Sequence, residues 1–396
     1  MLGTVLGPVL AGCGDEGVRP AWAVRDSAGV EVVESVRPAW GDEEEWRVGA
    51  EPTTRVGAVE GDVEELLSEV VGAVRLADGT VAVADAAQEV RFFGPGGGHV
   101  RTVGGPGEGP GEFTGLAALA RHPGGGVWAW DFSLRRVTRI SGDGEIDDVV
   151  TLDPEPPVLS PVGALPDGTF VFKQLWGAGA TAAATRTGLR RDPVAVVRLD
   201  ASGALLDTLD LVPGREVHIE EEDGRGVMIT PPFGRNAVGT VRGDRVVVGS
   251  QETFEVRELA PDGAVLRVLR LPSRDVGLDP ADARRLLDER VEAAPPERRA
   301  TLRRSLGAIP FPESRPAYGG LLADREGNLW VSEWAPFPRV PGRWTVFGPD
   351  GRWLGEVEMP PGFQPTDIGD DWLVGVQRDE MDVEYVLVFP LVKPGG

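Results

Sequence analysis

Short apolar segments of five or six residues alternate with glycine-rich turns along this chain, and residues 56–113 contain one complete unit of the pattern. In that unit LADG (76–79) and GPGGG (94–98) read as turns, and the strands are TVAVAD (80–85), EVRFF (89–93) and HVRTV (99–103). Period-2 segments of this length, bounded by Gly, Pro and Asp, predict antiparallel β-hairpins.

The turn that precedes the last strand of each unit recurs along the chain. Its copies end at Gly97, Gly144, Gly203, Gly263 and Gly351, with spacings of 47, 59, 60 and 88 residues. The widest spacing contains a non-strand insertion at about 273–316, and without those 44 residues it shrinks to 44. A repeat of this length with four short strands per unit is typical of propeller blades.

The end of the chain indicates how the ring closes. DWLVGVQ (371–377) and EYVLVF (384–389) form a strand pair without an outer strand of its own. An N-terminal strand, at 30–35 or at 45–49, would complete this sheet and remove its open edge. We therefore predict an all-β fold, a six-bladed β-propeller with four-stranded antiparallel blades.

The insertion is predicted to be helical over about 277–307. Asp279 is a helix N-cap with Pro280 in the first turn, and Pro295-Pro296 separates two helices. Apolar residues spaced four apart should pack the hairpin on the propeller: Leu287, Val291, Leu302 and Leu306. The second helix is rich in arginine, which would face an acidic rim or an acidic partner.

Composition narrows the range of partners. The net charge is −23, spread along the chain, so nucleic acid and anionic membrane surfaces are not expected partners. Gly 55 and Pro 34 recur at turn positions, and a hydrophobic content of 41% is sufficient for a core. We expect a monomer.

The one cysteine, Cys13, follows an uncharged apolar run in Leu10-Ala11-Gly12-Cys13. This resembles the lipobox of bacterial lipoproteins, with residues 1–12 as signal peptide, 13–20 as tether and 21–396 as propeller. Lys or Arg is missing before the run, so we expect the true start to lie upstream. A chance cysteine in an apolar N-terminus is the alternative. The lipobox predicts acylation of Cys13 and an extracytoplasmic location in the cell envelope, with membrane contact only through the lipid.

Several segments resemble the bacterial NHL-like six-bladed β-propeller lipoproteins. They are DSAGVEVVES (26–35), RLADGTVAVAD (75–85), GEGPGEF (107–113), DREGNLWVSEW (324–334), WTVFGPDGRWLGEVEMPPGF (344–363) and DEMDVEYVLVFPL (379–391). The resemblance implies the propeller fold and export. It carries no catalytic residue, because members of this group largely lack an assigned activity.

The sequence offers no recognisable catalytic constellation. NHL-type lyases use histidine-bound zinc, but His99, His122 and His218 lack metal-ligand spacing. Lactonase propellers need Glu, Asn and Asp on inner strands, which here are nearly all apolar. We therefore predict no cofactor and no metal, and favour a ligand-binding or interaction scaffold. The alternative is an NHL-type metal-dependent lyase or lactonase with unrecognised ligands.

The loops between second and third strands should ring one mouth of the channel, which we call the top face. Polar groups and tryptophans fall in these loops, whereas the hairpins of the opposite face offer little chemistry. The predicted ligand-binding residues are Asp131, Trp176, Glu333, Trp334 and Arg378. Their ligand would be a protein, peptide or carbohydrate. For Trp176 and Trp334 an alternative role is plugging the channel, while Trp128, Trp330 and Trp344 are predicted core residues.

Overall fold

The structure is a computed structural model that describes residues 20–41, 43–176, 187–222, 225–307, 309–310, 312–336 and 339–394. Cys13 and the lipobox therefore lie outside the described residues. Strands dominate the described chain, and most belong to four-stranded antiparallel sheets, as the hairpin pattern predicts.

The N-terminal part supplies two complete sheets and four strands that join later sheets. These four strands are β1 (Trp22–Ser27), β2 (Val30–Ser35), β3 (Arg47–Val48) and β4 (Thr54–Val56). Sheet 1 contains β5 (Gly72–Arg75), β6 (Val81–Ala84), β7 (Glu89–Phe93) and β8 (His99–Gly104). Sheet 2 contains β9 (Leu116–Arg121), β10 (Val127–Asp131), β11 (Arg136–Ile140) and β12 (Ile146–Thr151).

A side sheet interrupts the middle of the chain. In chain order the strands are β13 (Leu159–Ala164), β14 (Phe170–Gln174), β15 (Gly188–Arg190), β16 (Pro193–Leu199), β17 (Leu205–Pro213), β18 (Val217–Glu222) and β19 (Arg225–Ile229). Sheet 3 has the order β13-β14-β16-β17, and β15-β18-β19 form the side sheet. Sheet 4 contains β20 (Val238–Arg242), β21 (Arg245–Gly249), β22 (Glu255–Leu259) and β23 (Val265–Arg270).

Two helices separate sheet 4 from the last two sheets. They are α1 (Pro280–Ala293) and α2 (Pro296–Gly307). Sheet 5 contains β24 (Leu321–Ala323), β25 (Leu329–Ser332), β26 (Arg343–Phe347) and β27 (Trp353–Glu358). Sheet 6 contains β28 (Phe363–Ile368), β29 (Trp372–Arg378) and β30 (Glu384–Val392).

The N-terminal strands complete sheet 6. Strand β3 pairs antiparallel with the end of β30, and β4 pairs antiparallel with its middle, Val56 opposite Val386. Residues 45–49 thus lie at the open edge of sheet 6, as one of the two predictions placed them, whereas residues 30–35 lie elsewhere. Strand β2 instead runs parallel to β23, with Val33 opposite Leu269, and forms a hairpin with β1 that covers the edge of sheet 4.

The first strands of neighbouring sheets lie beside one another. Contacts join β5 with β9 and β28, and β20 with β13 and β24, while β24 also contacts β28. Sheets 2 and 3 pack through aromatic rings, with the centroids of Trp130 and Phe172 4.8 Å apart. The sheets therefore stand side by side in a propeller-like arrangement. Trp128, Trp330 and Trp344 are buried between sheets, as predicted.

The turn glycines that define the repeat have the left-handed backbone that such turns require. Gly97 has φ 87° and lies directly against the carbonyl of Arg55 in β4. A side chain at this position would strain the turn and also collide with the strand that completes sheet 6. This turn therefore couples sheet 1 to sheet 6.

Helices α1 and α2 lie inside the segment 277–307. Asp279 caps α1, because its Oδ1 accepts a hydrogen bond from the backbone N–H of Ala281 at 2.7 Å. The apolar sides of both helices meet around buried Val291 and Leu306, and Ile229 of the side sheet packs against them. The helical hairpin thus rests on the side sheet through the residues that its sequence spacing singled out.

Candidate functional site

Strand direction separates the two faces of the molecule. The top face carries the loops between second and third strands and the connectors from each sheet to the next. The opposite face, which we call the hairpin face, carries the turns between first and second strands and between third and fourth strands. Helices α1 and α2 lie in the connector between β23 and β24 and therefore belong to the top face.

Asp131 lies at the top end of β10 but does not face solvent. Its exposed fraction is 0%, and its Oδ2 accepts hydrogen bonds from the backbone N–H groups of Thr114 at 2.7 Å and Gly115 at 3.1 Å. Its Oδ1 accepts one from Leu134 N–H at 2.7 Å. This carboxylate holds the incoming connector and its own loop together, so the structure gives it a structural role in place of the expected ligand contact.

The same role recurs in other sheets. Asp85 lies at the equivalent place in sheet 1. It accepts a hydrogen bond from Ser68 N–H at 3.1 Å and forms an ion pair with buried Arg91. Ser332 in sheet 5 accepts from Gly320 N–H at 2.7 Å. The sequence signal for this role is the recurrence itself, because a polar residue follows the second strand in one sheet after another.

Arg378 and Glu333 are also engaged within the protein. Arg378, with 54% of its side chain exposed, pairs with Asp382 at 2.9 Å and Glu384 at 2.7 Å. The Oε1 of Glu333 accepts a hydrogen bond from Gly342 N–H at 2.9 Å. Arg378 keeps a solvent-facing edge, whereas Glu333 mainly fixes the loop that returns to β26.

The two tryptophans of the predicted site lie on different sheets and pack against neighbouring residues. Trp176, after β14, packs against Val217 and Ile219 of the side sheet. Trp334, after β25, lies with its ring centroid 5.6 Å from that of Phe233. Both are half-buried. Among the described residues, no hydrogen bond, ion pair or ring contact joins any two of the five predicted site residues.

Arg215 lies over Trp176, and Lys173 lies near Arg215. The guanidinium of Arg215 is 5.2 Å from the centroid of the Trp176 ring. Burial, together with the nearby Arg215, lowers the pKa of Lys173 to about 8. Neither cation has an ion-pair partner among the residues that the structure describes. The ring of Trp176 therefore supports a cation and is not an open platform for stacking.

Neighbouring arginines differ from this pair in having acidic partners. Arg235 pairs with Glu216 at 3.0 Å, and Arg191 pairs with Glu252 at 3.5 Å while its Nε donates to the carbonyl of Gly214 at 3.0 Å. Glu216 and Glu252 are thus already paired with Arg235 and Arg191. Lys173 and Arg215, both half-buried, differ from Arg191 and Arg235 in having no acidic partner in the described part of the chain.

The hairpin face is richer in chemistry than the sequence suggested. Arg121, at the end of β9, forms an ion pair with Asp367 of β28. Arg75 and Arg325 place their guanidinium groups 5.0 Å and 4.8 Å from the ring of Trp372. The expectation that only the top face gathers polar groups is therefore wrong, because hairpin ends of four sheets bring charged residues together.

Within the described ranges no group of three or more His, Cys, Asp or Glu side chains is arranged to hold a metal ion. Among the helices described, none combines the length and apolar character needed to cross a membrane.

Comparisons with known proteins show similarity of fold. No protein-family model matches the sequence, and no curated protein matches it either. A Bacteroides fragilis protein provisionally named as exported has 12% identity, covers 91% of this chain and 100% of its own, and has a TM-score of 0.50. A DUF4221 family member from Bacteroides vulgatus also has 12% identity and a TM-score of 0.50, covering 89% of this chain and 100% of its own.

A looser match is a virginiamycin B lyase from Staphylococcus aureus, with 13% identity, a TM-score of 0.43, and coverage of 88% of this chain and 100% of its own. At this level of similarity we draw nothing about activity from it. The lyase or lactonase alternative stays a prediction.

Proposed function

We propose that this protein is an exported, lipid-anchored β-propeller of six blades that binds an acidic segment of a partner protein on its top face. The blade count rests on sheets 1 to 6, each of which contributes its first strand to the lining of one central cavity. Strands β3 and β4 complete sheet 6 and so remove the edge that the last three strands would leave open.

The observation that carries the binding proposal is the cation pair of Lys173 and Arg215, of which Arg215 lies over Trp176. Lys173 and Arg215 have no acidic partner among the described residues, in a chain whose net charge is −23. A partly buried cation without a counter-ion is costly, and a ligand carboxylate would offset that cost. Because the Arg215 guanidinium lies over a face of the Trp176 indole, a ligand at this place would meet a cation and not an open aromatic ring. This favours carboxylates over neutral sugars.

The shape of the same face favours a peptide. A cleft of about 760 Å³ lies between the helical hairpin and β19, with apolar walls that include Ile229 and Leu302. Arg290 and Arg298 line it, and burial lowers the pKa of Arg290. No ion pair is found for either arginine in the described part of the chain. Apolar walls with free cations suit an acidic, partly apolar polypeptide.

The anchor is proposed from Leu10-Ala11-Gly12-Cys13, and export is in keeping with the provisional name of the Bacteroides fragilis neighbour. Expressed behind a basic signal-peptide start, the chain should take up labelled palmitate and fractionate with membranes. Cys13→Ala should lose both properties. Membrane attachment that survives this substitution would refute the anchor without touching the binding proposal.

The binding proposal is tested with an array of acidic peptides, together with the same peptides carrying glutamine for glutamate. The expected result is selective retention of acidic, leucine-containing sequences, reduced when Lys173→Met and Arg215→Gln are combined. Equal retention of glutamate and glutamine peptides would contradict it.

A further inference from the structure

The first strands surround a cavity of about 320 Å³ that reaches the hairpin face. All six sheets contribute to its lining, through Val74, Ala120, Val162, Thr240, Leu322 and Thr366. The lining also includes Pro123 and Gly243 of the turns between first and second strands, which places its mouth on the hairpin face. This volume lies at the small end of the range for ligand pockets.

Two buried hydrogen-bond donors in the lining have no partner among the described residues. The indole Nε1 of Trp128 is buried and has no hydrogen-bond partner within the described residues, and the same holds for Nε of Arg121. Both residues line the cavity. Buried donors in native proteins are rarely left unpaired, so an oxygen-bearing group in the cavity would satisfy them.

The carboxylates of the lining already accept hydrogen bonds. Asp367 accepts from Arg121 and, through Oδ2, from Arg75 N–H at 3.3 Å. Asp324 accepts from the Asn328 side chain at 2.7 Å and from Trp330 Nε1 at 2.9 Å. These acids stabilise the lining itself.

The mouth of the cavity carries further cations. Arg325 donates from Nη2 to the carbonyl of Arg75 at 2.7 Å and lies over Trp372, which holds its planar guanidinium in place. Arg121 and Arg325 also line a neighbouring depression of about 550 Å³ on the hairpin face. The depression and the cavity thus share two arginines, and this gives a ligand a route of entry lined with donors.

We propose that this channel binds a small carboxylate ligand, which enters from the hairpin face and accepts hydrogen bonds from Trp128, Arg121 and Arg325. The site lies on the face opposite the proposed peptide site and shares no residue with it. Either proposal can therefore fail alone.

The balance of charges favours a singly charged ligand. The arginines at the mouth are Arg75, Arg121 and Arg325, and the acids facing them are Asp324, Asp367 and Asp370. A dianion such as phosphate would be repelled by these acids more strongly than a monocarboxylate, whose two oxygens match the guanidinium fork.

The test is calorimetric titration of the full chain with acetate, lactate and galacturonate, with galactose as the neutral match of galacturonate and with inorganic phosphate. At least one carboxylate should bind saturably in the millimolar range or tighter, and galactose should not. Trp128→Phe removes the donor, and Arg325→Gln removes an exposed cation without threatening the fold. Each should weaken binding about tenfold, the value of one charge-assisted hydrogen bond.

Trp344→Phe is the matched control, because Trp344 is equally buried and its indole nitrogen also lacks a partner in the described chain, but it lies away from the channel. It should bind like the parent protein. Failure of every carboxylate to bind, preference for phosphate, or unchanged affinity in both Trp128→Phe and Arg325→Gln would overturn the proposal.

Discussion

Thr53 and Val388 are 335 positions apart and joined by two hydrogen bonds. The Thr53 backbone N–H donates to the carbonyl oxygen of Val388 at 2.7 Å, and its Oγ1 donates to the same oxygen at 3.2 Å. Just beyond, Thr54 Oγ1 donates to the carbonyl oxygen of Pro95 in sheet 1 at 2.7 Å. The N-terminal strand thus links the last sheet of the chain to the first complete one.

Removing that strand should therefore expose the edge of β30. A chain beginning at Ala58 lacks β3 and β4 as well as β1 and β2, and leaves Val386 and Val388, which are almost fully buried in the intact protein, beside an open edge. We expect aggregation and a melting temperature several degrees lower.

The control for this prediction is a chain beginning at Val36, which lacks β1 and β2 but keeps β3 and β4. Light scattering and thermal melts compare the two chains. Equal melting temperatures, with both chains monodisperse, would contradict the role assigned to β3 and β4.

The repeat was predictable because it depends on local chemistry. Turn glycines such as Gly97 and Gly351 need left-handed backbone, and the apolar runs between them have the length of strands. Which of the segments 30–35 and 45–49 completes sheet 6 could not be predicted from local sequence. Both read as strands, and only the three-dimensional arrangement pairs β2 with β23 and β3 with β30.

The candidate site was less predictable because burial of a loop side chain depends on distant segments. Asp131 reads as a polar loop residue, and only the connector around Thr114 buries it. Arg121 and Asp367 are 246 positions apart, so no local pattern indicates their ion pair. Lys173 reads as an ordinary polar strand end, because its lowered pKa depends on burial by the fold and then on Arg215 from another strand end.

Asp131 provides a direct test of loop anchoring. Asp131→Ala leaves three backbone N–H groups without their acceptor and should lower the free energy of unfolding by about 3 kcal/mol. Asp131→Asn keeps one oxygen and should cost roughly half as much. Denaturant unfolding measures both variants.

The matched control is Asp78→Ala, because Asp78 is exposed and accepts from Thr80 N–H at 2.9 Å in a hairpin turn. Its loss should cost less than about 1 kcal/mol. Equal effects at Asp131 and Asp78 would rule out the anchoring role.

Lys173 should titrate near pH 8. The chain has two lysines, Lys173 and Lys393, so Lys393→Arg leaves a single ε-amine. The rate of its acetylation against pH should show a midpoint at about 8, and Arg215→Gln should move the midpoint upward, because a nearby positive charge is removed. A midpoint near the ordinary value of 10.5 in the Lys393→Arg protein would be inconsistent with burial of this amine.

The same shift predicts how stability depends on pH. The folded pKa is below that of the unfolded chain, so the cost of burying charged Lys173 is fully present below pH 8. It disappears as pH rises from about 8 toward 10.5, where the unfolded chain binds more protons. This group alone therefore makes the free energy of unfolding rise with pH. Lys173→Met should be more stable than the parent at pH 7, and the difference should shrink by pH 10.

The helical hairpin should be dispensable for the sheets. Arg315 N–H donates to the carbonyl oxygen of Val276 at 2.9 Å. The two ends of the segment that contains the helices therefore lie next to each other. Replacing 278–313 by one glycine should remove the helical circular-dichroism signal and change the melting temperature by only a few degrees. Val291→Asp should disrupt the hairpin in the intact chain with the same small effect. Loss of folding in both variants would assign the hairpin to the core.

The most direct measurement of the central claim is fluorescence-anisotropy titration with a labelled peptide of alternating glutamate and leucine. The protein with Lys173→Met and Arg215→Gln is compared with Arg352→Gln, whose guanidinium lies 4.3 Å over Trp22 on the hairpin face. We predict that the double variant raises Kd about tenfold or more while Arg352→Gln leaves it unchanged, and that a glutamine–leucine peptide binds no better than background. Equal affinity in the parent and the double variant would contradict the proposed function.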